Sequence, residues 1–323
     1  MTVSYAGALD LGGTKILAAV VDSEGQALAT ERLSTDAGRG PDAVADAMAD
    51  LLQLACARAG VARETLAGLG VSAAGPLDAA RGVVSAPPNL PGWKDVSLGR
   101  MLAARTGLRV VLENDANAAA VGEHVYGAGR GSRNMVFITV STGIGGGVIV
   151  DGRLYRGATG AAGEIGHMIV AHAGERCGCG RLGCLEAYAS GTAIARDAER
   201  AAHEGRSPAL AAMRARGEPL NTEAVAAAAE AGDATAAAIL ARAAEYLGVG
   251  LENTVHLFNP DRIVVGGGVS HLAARILDPA VAFMRANAFP ALVAGVDVVP
   301  AARGDGAPAV GAAALAFAAA REG

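Results

Sequence analysis

The feature that most constrains this chain is a pattern used twice. Residues 5–12 read as an apolar strand running into Leu-Gly-Gly, with Ile16–Asp22 as its hairpin partner. About 130 residues later Met135–Val140 reads as a strand, STGIGGG from Ser141 to Gly147 as a glycine-rich turn, and Val148–Val150 as the start of the returning strand. Period-two apolar runs bounded by glycine turns are strand–turn–strand signals. Helix and strand patterns follow each copy. After the first come a third strand near Ala27–Leu33 and a helix over Pro41–Ala59, with Val44, Met48, Leu51, Leu52 and Leu54 near one face. Short buried strands at Leu66–Val71 and Arg109–Leu112 flank a helix around Leu98–Arg105, and Asp115 is placed to cap a helix running to Glu123. After the second copy come long Ala-rich helices (about Thr222–Glu230 and Asp233–Leu257), a strand Arg262–Val265 and the loop Gly266-Gly267-Gly268. Two related α/β lobes with a cleft between them are the economical architecture. The expected division is residues 1–115, completed by a returning helix at about 308–323, and residues 116–307.

The glycine loops exclude the common nucleotide folds. Asp10-Leu11-Gly12-Gly13-Thr14-Lys15 and the loop at Ser141 both lack the spacing of a P-loop. A dinucleotide fold needs G-x-G-x-x-G opening a helix. Here Gly145 is followed by two further glycines and a β-branched strand, and the loop at Gly266 has His271 where a glycine is needed. What remains is a pair of bare hairpin turns, each carrying a Thr hydroxyl. One such turn is ordinarily just a turn. Two in matching strand contexts make anion-binding concavities that face the phosphates of one nucleotide. The charge balance, 27 basic against 32 acidic residues without a basic block, argues against a nucleic-acid surface.

Four cysteines are present, and Cys177, Cys179 and Cys184 fall within eight residues, with His167 ten residues upstream of the first. The N-terminus has no basic segment followed by an apolar one, so no secretory signal is read and metal precedes disulfide. Cys₃His is a zinc donor set, although C-x-C-x₄-C departs from the finger spacing. A redox thiol cluster and unliganded cysteines are the other readings, and His172 is a near competitor for His167. Cys56, on the Pro41–Ala59 helix, reads as a core thiol. The two long uncharged stretches, 134–150 and 306–320, are too interrupted or too alanine-rich to span a membrane. A cytoplasmic protein without a membrane partner is expected.

DLGGTK, VSTGIGGG and GGGV (Gly266–Val269) resemble the phosphate and adenosine loops of the actin/hexokinase/Hsp70 superfamily. With Ala74-Gly75-Pro76, Pro88–Trp93, Glu113–Asn117, Gly163–His167 and the run from Cys177 to Glu186, nearly the whole chain is similar to a bacterial sugar kinase of the ROK family, and most like its glucokinases. The resemblance implies two actin-like (ribonuclease H-like) lobes, ATP with Mg²⁺, a hexose substrate and a homo-oligomer. It favours zinc on His167, Cys177, Cys179 and Cys184, a structural ion because four protein ligands leave no open position. It assigns sugar contacts to Asn114, Glu164, His167 and Glu186, and extends them to Gly75 and Asn89. Nucleotide contacts fall on Gly12, Gly13, Thr14, Lys15, Thr142, Gly143, Gly145, Gly267 and Gly268, with Asp10 holding Mg²⁺ through water.

An isolated Asp before a helix is an N-cap. In ENDAN beside two phosphate loops Asp115 reads instead as the general base for the C6 hydroxyl, and an ordinary carboxylate pKa suffices. Lys15, one of only two lysines, is either a solvated residue or a neutraliser of phosphate charge. Trp93 either covers the apolar face of the sugar or is simply a surface or core tryptophan. The second class of function is a sugar-responsive repressor, which would carry a helix-turn-helix ahead of its first loop, where this chain has reached Asp10. Among kinases, fructose, mannose, N-acetylmannosamine and N-acetylglucosamine are alternative substrates, and polyphosphate an alternative donor.

Overall fold

The computed structural model describes residues 4–87, 89–268 and 272–322. The chain divides into two compact units, one of Met1–Phe137, Gly147–Gly163 and Ala302–Gly323, the other of Ile138–Gly146 and Glu164–Ala301. In the first unit β1 (Tyr5–Leu11), β2 (Lys15–Asp22) and β3 (Ala27–Ser34) form an antiparallel meander. Helix α1 (Gly40–Ala59) leads to β4 (Leu69–Ala73), which pairs with β1 in parallel. A short hairpin, β5 (Leu77–Asp78) and β6 (Val83–Val84), and α2 (Leu98–Thr106) precede β7 (Val110–Asn114), parallel to β4. The sheet order is β3-β2-β1-β4-β7.

Both faces of the sheet are covered at β1, β2 and β4, which is why these strands read as nearly unbroken apolar runs. Successive side chains point to opposite faces. Leu9, Leu11, Ile16, Ala18 and Val20 join Met48 and Leu52 of α1 and Leu98 and Leu102 of α2 on one side. Ala6, Ala8, Leu17, Ala19 and Val21 meet Ala309, Ala313 and Phe317 of the C-terminal helix on the other. The small residues on that second face let the helix lie close.

Beyond β7 the chain forms α3 (Asp115–Tyr126), β8 (Met135–Val140), β9 (Ile144–Val150) and β10 (Arg153–Tyr155). It continues through α4 (Glu186–Ala189), α5 (Gly191–His203), α6 (Pro208–Ala215), α7 (Thr222–Glu230) and α8 (Ala234–Phe258) to β11 (Arg262–Gly266). Then follow α9 (Asp278–Asn287), α10 (Pro290–Val293), β12 (Asp297–Pro300) and α11 (Ala307–Glu322). The second sheet has the order β10-β9-β8-β11-β12. Ser190, Ser207, Asn221 and Asp233 cap α5, α6, α7 and α8 through side-chain oxygens, satisfying otherwise unpaired backbone N–H groups. By length and composition alone α8 is apolar enough to cross a membrane. Its Leu240, Leu247, Leu251 and Val255 are buried and it packs on α7 and α9, as in a core helix.

Two local expectations are corrected. The second glycine turn is shorter than the sequence implies, because β9 already begins at Ile144 and takes Gly145–Gly147 into the strand. A Cβ on Gly147 would lie 2.9 Å from the Ala116 carbonyl oxygen of α3, so the strand is bare where a helix crosses it. The cap of α3 is Asn114, whose side chain accepts from the backbone of Ala116 and Asn117, and Asp115 is the first helical residue.

The seat of α11 is cut from glycine. A Cβ on Gly70 of β4 would collide with the carbonyl of Ala312, and one on Gly311 with the carbonyl of Ala118 in α3. Backbone cannot move aside as a flexible side chain can. Gly311→Ala is therefore expected to destabilise the first unit by about 1–3 kcal/mol or more, the range of overpacked cores. An unchanged urea midpoint would show that the helix does not sit on this notch.

Candidate functional site

The first unit gathers its polar residues at the carboxyl ends of three parallel strands, where ligands bind in open α/β sheets. Register places Asp10 beside Ser72 and Ser72 beside Glu113. The Ser72 hydroxyl donates to Asp10 Oδ1 at 2.5 Å. Burial raises the Asp10 carboxyl above its usual range, against this hydrogen bond and the Lys15 charge. Asn114 Oδ1 accepts from the backbone N–H of Ala116 (2.9 Å) and Asn117 (3.2 Å), which fixes the start of α3. Asp115 Oδ1 also accepts from Ala116 N at 2.9 Å. Burial nevertheless pushes Asp115 up to about 6, and the Asp10 charge adds to the push. The sequence reading had assumed an ordinary carboxylate. A base near 6 remains ionised at neutral pH and is a stronger proton acceptor than a free aspartate.

The first glycine turn is held by a residue the sequence reading missed. Thr35 Oγ1 donates to the Gly12 carbonyl at 2.7 Å, and the Thr35 N–H to the Thr14 carbonyl at 3.0 Å. Thr14 and Lys15 are exposed at its tip. A Cβ on Gly13 would lie 2.5 Å from that of Asn89, so the turn and the Asn89 loop touch. Gly75 takes φ of 93°, a left-handed conformation that favours glycine. Trp93 is buried in the core, which decides between its two readings.

In the second unit the turn Ser141–Gly143 is closed by Ser141 N–H to the Gly143 carbonyl at 2.9 Å. Glu186 Oε2 accepts from the Ile144 N–H at 2.9 Å, and a Cβ on Gly143 would strike the same oxygen. The Thr192 hydroxyl donates to the Thr142 carbonyl at 2.7 Å. Gly267, at φ 82°, lies where a Cβ would meet the carbonyl of Val140. These segments border a cavity of about 300 Å³ whose lining includes Thr142, Gly191, Thr192, Asn221, Glu223 and Gly268. Only Thr142 and Gly268 carried a sequence signal. Val269 and His271 lie outside the described residues, as does Pro88.

The donor atoms of His167, Cys177, Cys179 and Cys184 all lie within 4.8 Å of one another. His167 Nδ1 is 3.8 Å from the Cys177 sulfur, and the Cys179 and Cys184 sulfurs are 3.7 Å apart. A tetrahedral ion with bonds of roughly 2.0–2.3 Å spaces its ligands roughly 3.4–3.8 Å apart, so the set fits zinc. Gly180 and Gly183, both at positive φ, make the bends. Burial pushes the Cys177 thiol up to about 12, while a backbone hydrogen bond from Arg181 lowers that of Cys179. His172, the competing ligand, is exposed and outside the cluster. His167 Nε2 is left facing Glu164 Oε2 at 3.8 Å. Glu186 Oε1 accepts from the Cys177 thiol at 3.3 Å, so one carboxylate touches both the glycine turn and the cysteine loop.

The sequence pattern described as ROK family matches residues 6–319. The chain is 40% identical over 317 residues to a glucokinase of Streptomyces coelicolor, covering 95% of this chain and 96% of that one. It superposes with a TM-score of 0.80 on a ROK family glucokinase from Streptomyces griseus in complex with glucose and AMPPNP, at 36% identity over 99% of this chain and all of that one. A xylose repressor of Bacillus spizizenii is 28% identical over 95% of this chain and 75% of its own length.

The raised Asp115 carboxyl has a consequence for stability. Its folded pKa of about 6 exceeds the ordinary 3.8, so the native state pays for holding it ionised. That cost is fully present above pH 6 and fades as pH falls towards 3.8. Asp115→Asn should therefore be more stable than the parent by up to about 3 kcal/mol at pH 8 and by about half that at pH 5. Thermal melts showing the same difference at both values would contradict the shift.

Proposed function

Because the chain belongs to the ROK family, we propose that it is an ATP-dependent glucokinase that phosphorylates glucose at the C6 hydroxyl. The observation that carries this reading is the 40% identity to a glucokinase over almost the full length of both chains. The geometry of each unit supports it.

In the first unit Asp115 is the proposed general base. It sits at the head of α3, oriented by the Ala116 N–H, and its burial gives it the basicity to accept the hydroxyl proton. Phosphoryl transfer is mostly positioning and charge neutralisation, with one group receiving that proton. Asn114 and Asn89 offer amides to neighbouring hydroxyls, and Gly75 its backbone. Thr14, Lys15, Gly12 and Gly13 form a turn suited to phosphate oxygens. Asp10 would hold Mg²⁺ through water, the ion neutralising phosphate charge.

In the second unit the cavity bordered by Thr142, Gly191, Thr192 and Gly268 takes the nucleotide, with Gly143, Gly145 and Gly267 keeping its approach bare. Glu164, His167 and Glu186 contact sugar hydroxyls. His167, Cys177, Cys179 and Cys184 hold a structural zinc ion, and one ring nitrogen of His167 on the metal leaves the other for the sugar. The second reading, a sugar-responsive regulator, draws on the repressor likeness. It has lower identity and a shorter share of the partner, and turnover separates the two.

Asp115→Asn should keep sugar binding and lose turnover by roughly 10²–10⁴-fold, the usual cost of removing a general base. In the parent, kcat/KM should fall about tenfold per pH unit below about 6, as the Asp115 carboxylate takes up its proton. An Asp115→Asn protein that phosphorylates glucose at the parental rate would overturn the assignment.

Metal analysis should find about one zinc per chain, and Cys184→Ser should release it, raising the sugar KM and lowering kcat. Purified protein without zinc and with freely titratable cysteines would remove the ion from the reading.

A further inference from the structure

Glu113 precedes the Asn114-Asp115 pair and is 1% exposed. It ends the row Asp10, Ser72, Glu113 that the parallel register draws across β1, β4 and β7. A carboxylate this deep is costly unless each oxygen is matched. Both are. Oε1 accepts from the backbone N–H of Asn114 at 3.0 Å and from Asn117 Nδ2 at 3.1 Å, and Oε2 accepts from Arg156 Nε at 2.7 Å. One carboxylate therefore grips the residues on either side of the segment Asp115-Ala116. Arg156 follows β10, and its carbonyl accepts from the Ala162 N–H at 3.1 Å, closing a turn in which Gly157 and Gly160 have positive φ.

We propose that Glu113 and Arg156 are positioning residues for phosphoryl transfer: their ion pair sets the place of Asn114 and Asp115 at the head of α3 and ties to it the loop that ends at Gly163, next to Glu164. Neither residue touches substrate. This inference rests on Asp115 as the base. Arg156 supplies the counter-charge and the direction that hold Glu113 against the Asn114 N–H. Without it the buried carboxylate is left to seek water or another donor, and the base moves with it. Misplacement by about 1 Å costs on the order of 10²-fold in an oriented reaction.

The test compares kcat, the sugar KM, ADP affinity and melting temperature in Arg156→Gln, Glu113→Gln, the double variant and Arg156→Lys. Arg156→Gln should lower kcat by about 10–100-fold while ADP affinity stays within about threefold. In the double variant two neutral amides face each other and no charge is stranded, so kcat should recover to within about tenfold of the parent. That coupling marks residues acting as a unit. If Arg156→Gln does not fold, Arg156→Lys decides. It keeps the charge without the guanidinium geometry and should fold with kcat reduced about 3–10-fold. A lower melting temperature with parental kcat would make the pair a structural staple and overturn the inference. So would a double variant no faster than Arg156→Gln. Asp115→Asn measured alongside separates the premises. If it is active, the base assignment falls and takes this inference with it. If it is inactive while Arg156→Gln is fully active, this inference alone falls.

Discussion

The parallel register of β1, β4 and β7 is the constraint from which the first unit's chemistry follows. Pairing Leu11 with Ala73 and Ala73 with Asn114 ends three strands at one level and sets Asp10, Ser72 and Glu113 side by side just below. Carboxylates so placed cannot be solvated as they would be on a surface. Each is instead met by a specific donor: Ser72 for Asp10, Arg156 with Asn114 and Asn117 for Glu113, and the Ala116 N–H for Asp115. Burial outweighs these donors at both Asp10 and Asp115, whose carboxyls are raised above the usual range, Asp115 to about 6. The same desolvation that costs stability strengthens the carboxylate as a proton acceptor.

That register depends on the second face of the sheet being closed. Gly70 lies in β4, between β1 and β7, and its missing side chain admits the backbone of α11. Gly122 of α3 and Gly311 of α11 repeat the device between the helices. A further buried carboxylate finishes the seat. Glu123, at the end of α3, accepts from the backbone N–H groups of Ala128, Ala302 and Arg303, which pins the chain as it enters α11. Each of these contacts joins residues more than 170 positions apart or lies within one helix turn, so no local pattern specifies them together.

The second unit concentrates its connections in Glu186. Its two oxygens join the glycine turn at Ile144 to the thiol of Cys177. Metal on the cysteines would thereby bear on the shape of the turn as well. Tyr188, two residues further on, orders the same region. Its hydroxyl accepts from the Glu175 N–H, and its ring stacks on Tyr246 of α8. The cysteine loop is thus braced against the longest helix of the unit.

The sequence by itself determined the elements with a strong local period. The β1–β2 hairpin, α1, β8, α7, α8, β11 and α11 all lie where apolar runs or helical spacing place them. It also singled out His167, Cys177, Cys179 and Cys184, whose donor atoms the fold brings within 4.8 Å of one another. Tertiary structure decided the rest. Helices α5 and α6 were not read from the sequence, and α6 buries a single side chain, Leu210. Gly147 is bare because a helix crosses the strand there. Thr35 at the first turn, Thr192 and Glu223 around the cavity, and Arg156 against Glu113 are polar residues whose local sequence names no role. Their part is set by partners 21 to 81 positions away, and a hydrogen bond between distant segments exists only once the register has brought them together. The basicity of Asp115 belongs in the same class, since desolvation is a property of what the fold packs around a carboxylate and not of the carboxylate's neighbours in the chain.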